Sequence, residues 1–161
     1  MAQTTIAIPK GNYKLEVSIN GGTTWTNISG NATTVKVSGG DQIVGDQNTA
    51  DGSAPVVIGS GKTKPFKLEC NILYSEGGSE PFQIVWNRFT QIGANKTIAL
   101  RYSPAGGTTG QNRYTTCNDV GTIINVPIES AQPPDVDAGS GDPAMVSFSV
   151  SSPKLFQDTA P

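Results

Sequence analysis

Three stretches of the chain carry side chains suited to chemistry. Gly59-Ser60-Gly61-Lys62-Thr63 has the ending of a phosphate-binding loop, where glycine amides cradle phosphates and lysine neutralises them. That loop needs a further glycine five residues before Gly61, where Val56 stands, and it must open a helix. Pro65 and the alternating Phe66-Lys67-Leu68-Glu69 follow instead, so nucleotide binding is not expected. Asp135-Val136-Asp137-Ala138-Gly139-Ser140-Gly141-Asp142 offers oxygen ligands of the kind calcium takes. An EF-hand loop requires glycine at its sixth place and a bidentate Glu at its twelfth. Counted from Asp135, those places hold Ser140 and Val146, and a solvated acidic turn is the expectation. Cys70 and Cys117 allow one disulfide but no metal cluster. Cys70 shares a face with Phe66, Leu68 and Ile72, which makes it foremost a small buried hydrophobe; a bridge to Cys117 is the alternative.

The rest of the inventory argues against catalysis. No histidine is present, which removes the Ser-His-Asp triad, histidine metal sites and the imidazole base. The paired carboxylates lie in glycine-rich segments, without apolar neighbours to raise a pKa. No enzyme, no metal and no cofactor are expected. Asn27, Asn31 and Asn95 open glycosylation sequons, which matter only in a secretory lumen, and Met1-Ala2-Gln3-Thr4-Thr5-Ile6 has no secretion-signal character.

Composition narrows the class. Of 161 residues 24 are charged, or 15%, against a globular average of about 25%. Ser, Thr, Asn and Gln number 50, so the surface is mostly neutral and polar. A net charge of −2 disfavours a protein that grips nucleic acid through its phosphates. No apolar run approaches the roughly 18 residues of a membrane helix. The length suits one domain, 1–161.

The elements that must position these residues are mainly strands. Val, Ile and Thr total 42, whereas Leu appears five times, and β-branched side chains favour the pleated surface. Tyr13, Leu15, Val17 and Ile19 alternate with Lys14, Glu16 and Ser18. Ile98-Leu100-Tyr102 and Val146-Phe148-Val150 repeat the pattern. Further strands are expected over 33–38, 113–116 and 121–126, while Val56-Val57-Ile58 either pairs or lies within a loop. Ser18-Ile19-Asn20-Gly21-Gly22-Thr23-Thr24-Trp25 is similar to the Asp-box, with Asn20 in the acidic place, and a single copy marks a tight hairpin.

One segment has helical spacing. Ser79 as cap, Glu80 and Pro81 open it, Phe82, Val85, Trp86, Phe89 and Ile92 form an apolar stripe, and Gly93 ends it. Ile84 projects away from that stripe and hints at a second contact surface. Two segments, 39–64 and 129–143, read as long irregular loops, and such loops are usually functional. Residues 1–10 and 153–161 read as an N-terminal arm and a C-terminal tail.

The order of parts now becomes recognisable. It runs arm, hairpin Val17 to Trp25, long Gly/Asp loop, strand from Phe66, helix from Pro81, strand Leu100-Arg101-Tyr102-Ser103-Pro104. Gly106-Gly107-Thr108-Thr109-Gly110, another strand, Pro133-Pro134-Asp135 and Gly141-Asp142-Pro143 then lead into a final strand. The chain resembles the tail tube (major tail) proteins of long-tailed, siphovirus-type bacteriophages over nearly its whole length. The resemblance implies a β-sandwich with one flanking α-helix, built into stacked six-subunit rings around an inter-subunit β-barrel that passes DNA without binding it specifically.

By the same resemblance the long loop 39–64 reaches the adjacent ring, which makes Asp41, Asp46, Asp51, Val56, Val57 and Ile58 candidate inter-ring contacts. Ile6, Ile8, Leu155 and Phe156 become candidate contact-arm residues. Glu16 and Glu69, on polar strand faces, are candidate lumen carboxylates, and the small negative balance suits a lining that repels phosphate weakly. Implied partners are further copies of the chain, a tape measure protein and tail terminator or tip proteins, without membrane contact. The implied location is the virion tail, with assembly in the host cytoplasm. The rival class is a surface binding module, such as a virion decoration protein or a carbohydrate-binding sandwich, for which Trp25 is the candidate exposed aromatic.

Overall fold

The period-two alternation builds two antiparallel sheets in the computed structural model, which describes residues 7–9, 11–52 and 54–161. In chain order the strands are β1 (Lys14–Ser18), β2 (Thr26–Asn27), β3 (Ala32–Gly39), β4 (Gln42–Gln47), β5 (Val56–Thr63) and β6 (Phe66–Leu73). Helix α1 (Pro81–Phe89) and a 3-10 turn (Gly93–Asn95) follow. Then come β7 (Thr97–Ser103), β8 (Asn112–Cys117), β9 (Val126–Gln132), β10 (Met145–Ser152) and β11 (Lys154–Thr159). One sheet runs β2-β1-β7-β8-β11 and the other β3-β6-β10-β9. They join at a corner, where Thr97 and Ile98 of β7 pair with Pro127 and Val126 of β9. The result is a mainly β sandwich with one flanking helix.

The core lies between the sheets. Leu15, Val17, Ile98 and Leu100 from one face Leu68, Cys70, Ile72, Val146, Phe148 and Val150 from the other, all buried. Each large side chain so buried stabilises the fold by roughly 1.5–3 kcal/mol relative to leaving it exposed. Helix α1 closes one flank with buried Phe82 and Val85. Tyr74, Phe82, Trp86 and Phe89 stack in a row with ring centroids 5.8–6.1 Å apart. Ile84 packs half-buried against this same core.

Several boundaries differ from the sequence expectation, each for a local reason. Glu80, not Ser79, is the N-cap residue, and no side chain caps the helix there. The helix stops at Phe89 because the Gln91 N–H turns back to the Arg88 carbonyl, an i→i−3 bond. Ile92 therefore leaves the stripe and is 91% exposed.

Of the strand expected over 121–126, only Val126 lies in a strand, as the start of β9. Asn118 accepts the N–H groups of Val120 and Thr122 on its side-chain oxygen, and this closes a tight loop. Beyond that loop, only an isolated bridge from Ile123 to Cys117 forms before β9 begins. Residues 129–132, expected as loop, belong to β9. The C-terminal segment is no loose tail: β11 pairs with β8 from Lys154 to Thr159, and Arg113 grips Asp158 through two bonds of 2.7 and 2.6 Å.

The largest difference concerns 39–64. That segment is a two-stranded ribbon in which β4 pairs antiparallel with β5. It leaves the sheet where β3 ends and β6 begins, through Gly39 and Gly40, both at positive φ. A Cβ at Gly39 would lie 2.1 Å from the Pro65 carbonyl oxygen, and one at Gly40 would lie 2.2 Å from the Phe66 ring. Glycine is the residue that fits both the conformation and the space.

Candidate assembly interface

The ribbon is the most unusual surface of the molecule. Every described residue of β4 and β5 is exposed. Pairing sets Val44 opposite Gly59 and Asp46 opposite Val57, whereas Ile58 stands opposite Gly45 and Val56 opposite Gln47. Val44 and Val57 thus project from one face and Val56 and Ile58 from the other. Both faces are apolar, and Ile58 remains 68% exposed. Sequence reading placed Val56, Val57 and Ile58 here but missed Ile43 and Val44. Their signal was the apolar pair inside Gln42-Ile43-Val44-Gly45. Asp41, Asp46 and Asp51 are exposed on the same ribbon and its tip, where they keep so apolar a strip hydrated.

A second surface is the outward face of the β3-β6-β10-β9 sheet. Cross-strand rows set Thr34, Asn71, Ser147 and Gln132 level with one another, and likewise Lys36, Glu69, Ser149 and Ser130. Asn71 donates to the Thr34 hydroxyl at 2.8 Å, and the Ser130 and Ser149 hydroxyls meet at 2.8 Å. Lys67 stands 3.5 Å from Glu69 and 3.0 Å from Glu129. These carboxylates raise its ammonium above the ordinary lysine range, foremost through the hydrogen bond to Glu129. The face is built of hydroxyls and amides, with Lys36 and Lys67 balanced by Glu69 and Glu129.

The two candidate lumen carboxylates do not share a surface. Glu69 belongs to this hydroxyl-rich face, while Glu16 lies on β1 in the other sheet and is only 7% exposed. Arg101 and Lys14 hold it: the Arg101 guanidinium sits 4.2 Å from the Trp25 ring centroid and 2.8 Å from Glu16, with Lys14 3.0 Å away on the other carboxylate oxygen. Burial alone would push the Glu16 carboxyl up, but the hydrogen bonds from Arg101 and Lys14 outweigh it and hold the group below its usual value. Sequence alternation put Glu16 on a polar face correctly; it could not show that Trp25 folds back over that face. Trp25 is half-buried, with Arg101 over its ring.

Other expected site residues sort as follows. Ile8 is exposed, Leu155 packs half-buried against the core, Phe156 is exposed on β11, and Ile6 lies outside the described residues. Cys70 and Cys117 are both free and buried, and burial pushes the Cys70 thiol up to about 12. Gly59 to Thr63 lies within β5 rather than opening a helix. Asp135, Asp137 and Asp142 are exposed, and the Asp137 carboxylate accepts the Gly139 N–H at 2.9 Å as a turn does. Among the described residues, no group of three or more acidic or cysteine side chains could hold a metal ion.

The sheet also leaves edges unpaired. Among the described residues β3 pairs with β6 alone, and β9 beyond Pro127 pairs with β10 alone. Unpaired edges of this length invite further strands.

No family model and no curated protein matches the sequence. Solved structures do match the fold. The chain is similar to a PVC sheath/tube terminator of an extracellular contractile injection system, with a TM-score of 0.67 and 15% identity over 98% of this chain and 100% of that one. It is also similar to a chain of the anti-feeding prophage tube-terminating cap, at 0.64 and 15%, over 99% and 96%. A chain of a GTA particle tail, refined with C6 symmetry, matches at 0.58 and 7% over 99% and 100%. The architecture is therefore that of proteins found in tail-like tubes and their caps.

Proposed function

We propose that this chain is a structural subunit of a phage-tail-like tube, whose copies close into rings that stack through the ribbon. The observation that carries the reading is the fully exposed, two-sided apolar ribbon of β4 and β5. A strand that is apolar on both faces requires cover on both, and a single copy supplies neither layer. The six-fold symmetry of the GTA tail supports rings of six, and the tube and terminator neighbours support the class. The siphovirus-type tail is the finer form of the proposal; neighbours from contractile systems support the tube class more broadly.

Ring closure follows from strand direction. β3, β6, β10 and β9 alternate in direction, so β9 of one copy meets β3 of the next antiparallel, and a closed barrel then has no edges. Its inner surface is the hydroxyl-rich face bearing Glu69, Glu129, Lys36 and Lys67. That lining is formally neutral rather than acidic. It has no excess of positive charge to hold phosphates, so DNA slides past without being gripped. Glu69 is retained as a lumen residue and Glu16 is not.

In this reading the partners are further copies, a tape measure protein inside the tube and terminator or tip proteins at its ends. The location is the virion tail, reached after assembly in the host cytoplasm, and the chain has no catalytic role. Negative-stain microscopy of the purified protein at rising concentration tests the proposal. Rings or tubes with an axial hole are expected; a monomer that persists even after seeding with tails would overturn it.

A further inference from the structure

The two ends of strand β10 differ in charge. Where β10 finishes, a hollow of about 780 Å³ opens between the base of the ribbon and the turn into β11, lined chiefly by Lys62, Pro65, Asp119, Pro127, Pro153 and Lys154. Lys62 and Lys154 are exposed, and among the described residues neither makes an ion pair. The Lys154 ammonium donates to the backbone carbonyl of Asp119 at 3.1 Å. Where β10 begins, the connection from β9, residues 133–144, carries Asp135, Asp137 and Asp142 beside Val136 and Met145. These three carboxylates are exposed as well, and among the described residues they too make no ion pair.

Water satisfies exposed charges, so their sign alone identifies no partner; their placement does. Met145 pairs with Leu73 and Ser152 with Phe66, which sets the acidic connection and the basic hollow at opposite ends of the same strands. Eight residues at about 3.3 Å each separate the two ends by roughly 25 Å. The ribbon leaves from the basic end, because Gly39 is level with Phe66. In a stack of identical rings, one end of each copy meets the opposite end of a copy in the next ring, a heterologous contact. Stacking through the ribbon therefore brings the basic end of one ring against the acidic end of the next. Within a ring the ribbons rise over β3 and β6 and leave the β10 and β9 positions open beside them. The acidic connection of the next ring is itself carried by β9 and β10, and it enters there, beside Lys62. Opposite signs at the two ends attract in this direction, whereas two rings meeting by like ends repel.

We propose that the hollow between the ribbon base and the β11 turn receives the 135–142 loop of a copy in the next ring, whose carboxylates meet Lys62 and Lys154. The inference rests on the ring-stacking reading above and adds to it the acceptor surface and the polarity of the stack. Rings join ribbon end to loop end, and the tube has one direction.

Exchanging the charges tests this. Lys62→Glu/Lys154→Glu and Asp137→Lys/Asp142→Lys are each expected to form rings but to raise the concentration at which tubes appear about tenfold or more, because like charges then face each other. All four substitutions in one chain restore opposite signs and are expected to bring that concentration back to about the wild-type value. Every substituted site is exposed, so monomer melting is expected to stay as in wild type. Unchanged tube formation in either pair variant, or a combined variant worse than both, overturns the docking. A zero-length carbodiimide applied to wild-type tubes gives a reading that needs no variant. A crosslink from Lys62 or Lys154 to the 135–142 segment is expected in tubes and not in dispersed monomer. Tubes without that link overturn the docking and leave the ring reading standing; wild-type protein that forms no rings overturns the ring reading itself.

Discussion

Strands β5 and β10 are both eight residues long and both carry valines, yet one is wholly exposed and the other supplies the centre of the core. In β10 Val146, Phe148 and Val150 alternate with serines, so one face is buried against the opposite sheet and the other carries small hydroxyls on the outward side. In β5 Val56, Val57 and Ile58 run consecutively, and the strand is apolar on both faces with only β4 beside it. The contrast teaches that alternation marks a strand satisfied within one chain. A short unbroken apolar run marks one whose cover comes from elsewhere.

The comparison can be broken most directly by removing the ribbon. Deletion of residues 46–59 is expected to leave the melting transition of the monomer intact while abolishing stacking under the microscope. An unfolded deletion variant would mean that the ribbon belongs to the core. Next in size, Phe148→Ala is expected to cost about 3–5 kcal/mol in denaturant unfolding, because it opens a cavity between the sheets. Ile58→Ser, of similar chemistry on the ribbon, is expected to leave that midpoint unchanged and to weaken assembly. A matching loss of stability in both variants would erase the distinction between the two strands.

Acid titration yields a smaller effect. The Glu16 carboxyl is held below its usual value in the folded chain, so its ion pairs contribute stability above the unfolded pKa of about 4.5. That contribution is lost as pH falls through the lower, folded value. Tm measured against pH is therefore expected to drop below about pH 4.5, and Glu16→Gln is expected to flatten that limb. Smallest of all, Lys67→Ala on the open sheet face is expected to leave Tm unchanged, because solvent screens exposed pairs. Its effect belongs to assembled tubes, where it shifts the lining from neutral to acidic.

Much of the fold was legible in the residues themselves. The strands around Leu15, Leu68, Leu100 and Phe148 announce themselves by period two, and Pro81 to Phe89 by period 3.6, because each has one wet and one dry face. The turn at Asn20 was legible too: its side-chain oxygen accepts the Thr24 N–H at 3.0 Å, and the Ser18 hydroxyl accepts the Gly22 N–H at 3.0 Å. Less legible were segments whose state depends on distant partners. β11 looks like a tail until Arg113 is placed beside Asp158, and the ribbon looks like a loop because six glycines hide its pairing.

For function, the sequence by itself determined the exclusions and the class of surface: no imidazole chemistry, few charges and an apolar run with no polar alternation. These follow from side-chain chemistry, which travels with the residue wherever it is placed. Tertiary structure alone decided that Glu16 is held by Arg101 and Lys14, with Trp25 stacked on Arg101, while Glu69 faces outward with Lys67. Those facts depend on which strands lie side by side and what folds over them. Long-range pairing is set by the packing of the whole core, and a local pattern does not contain it.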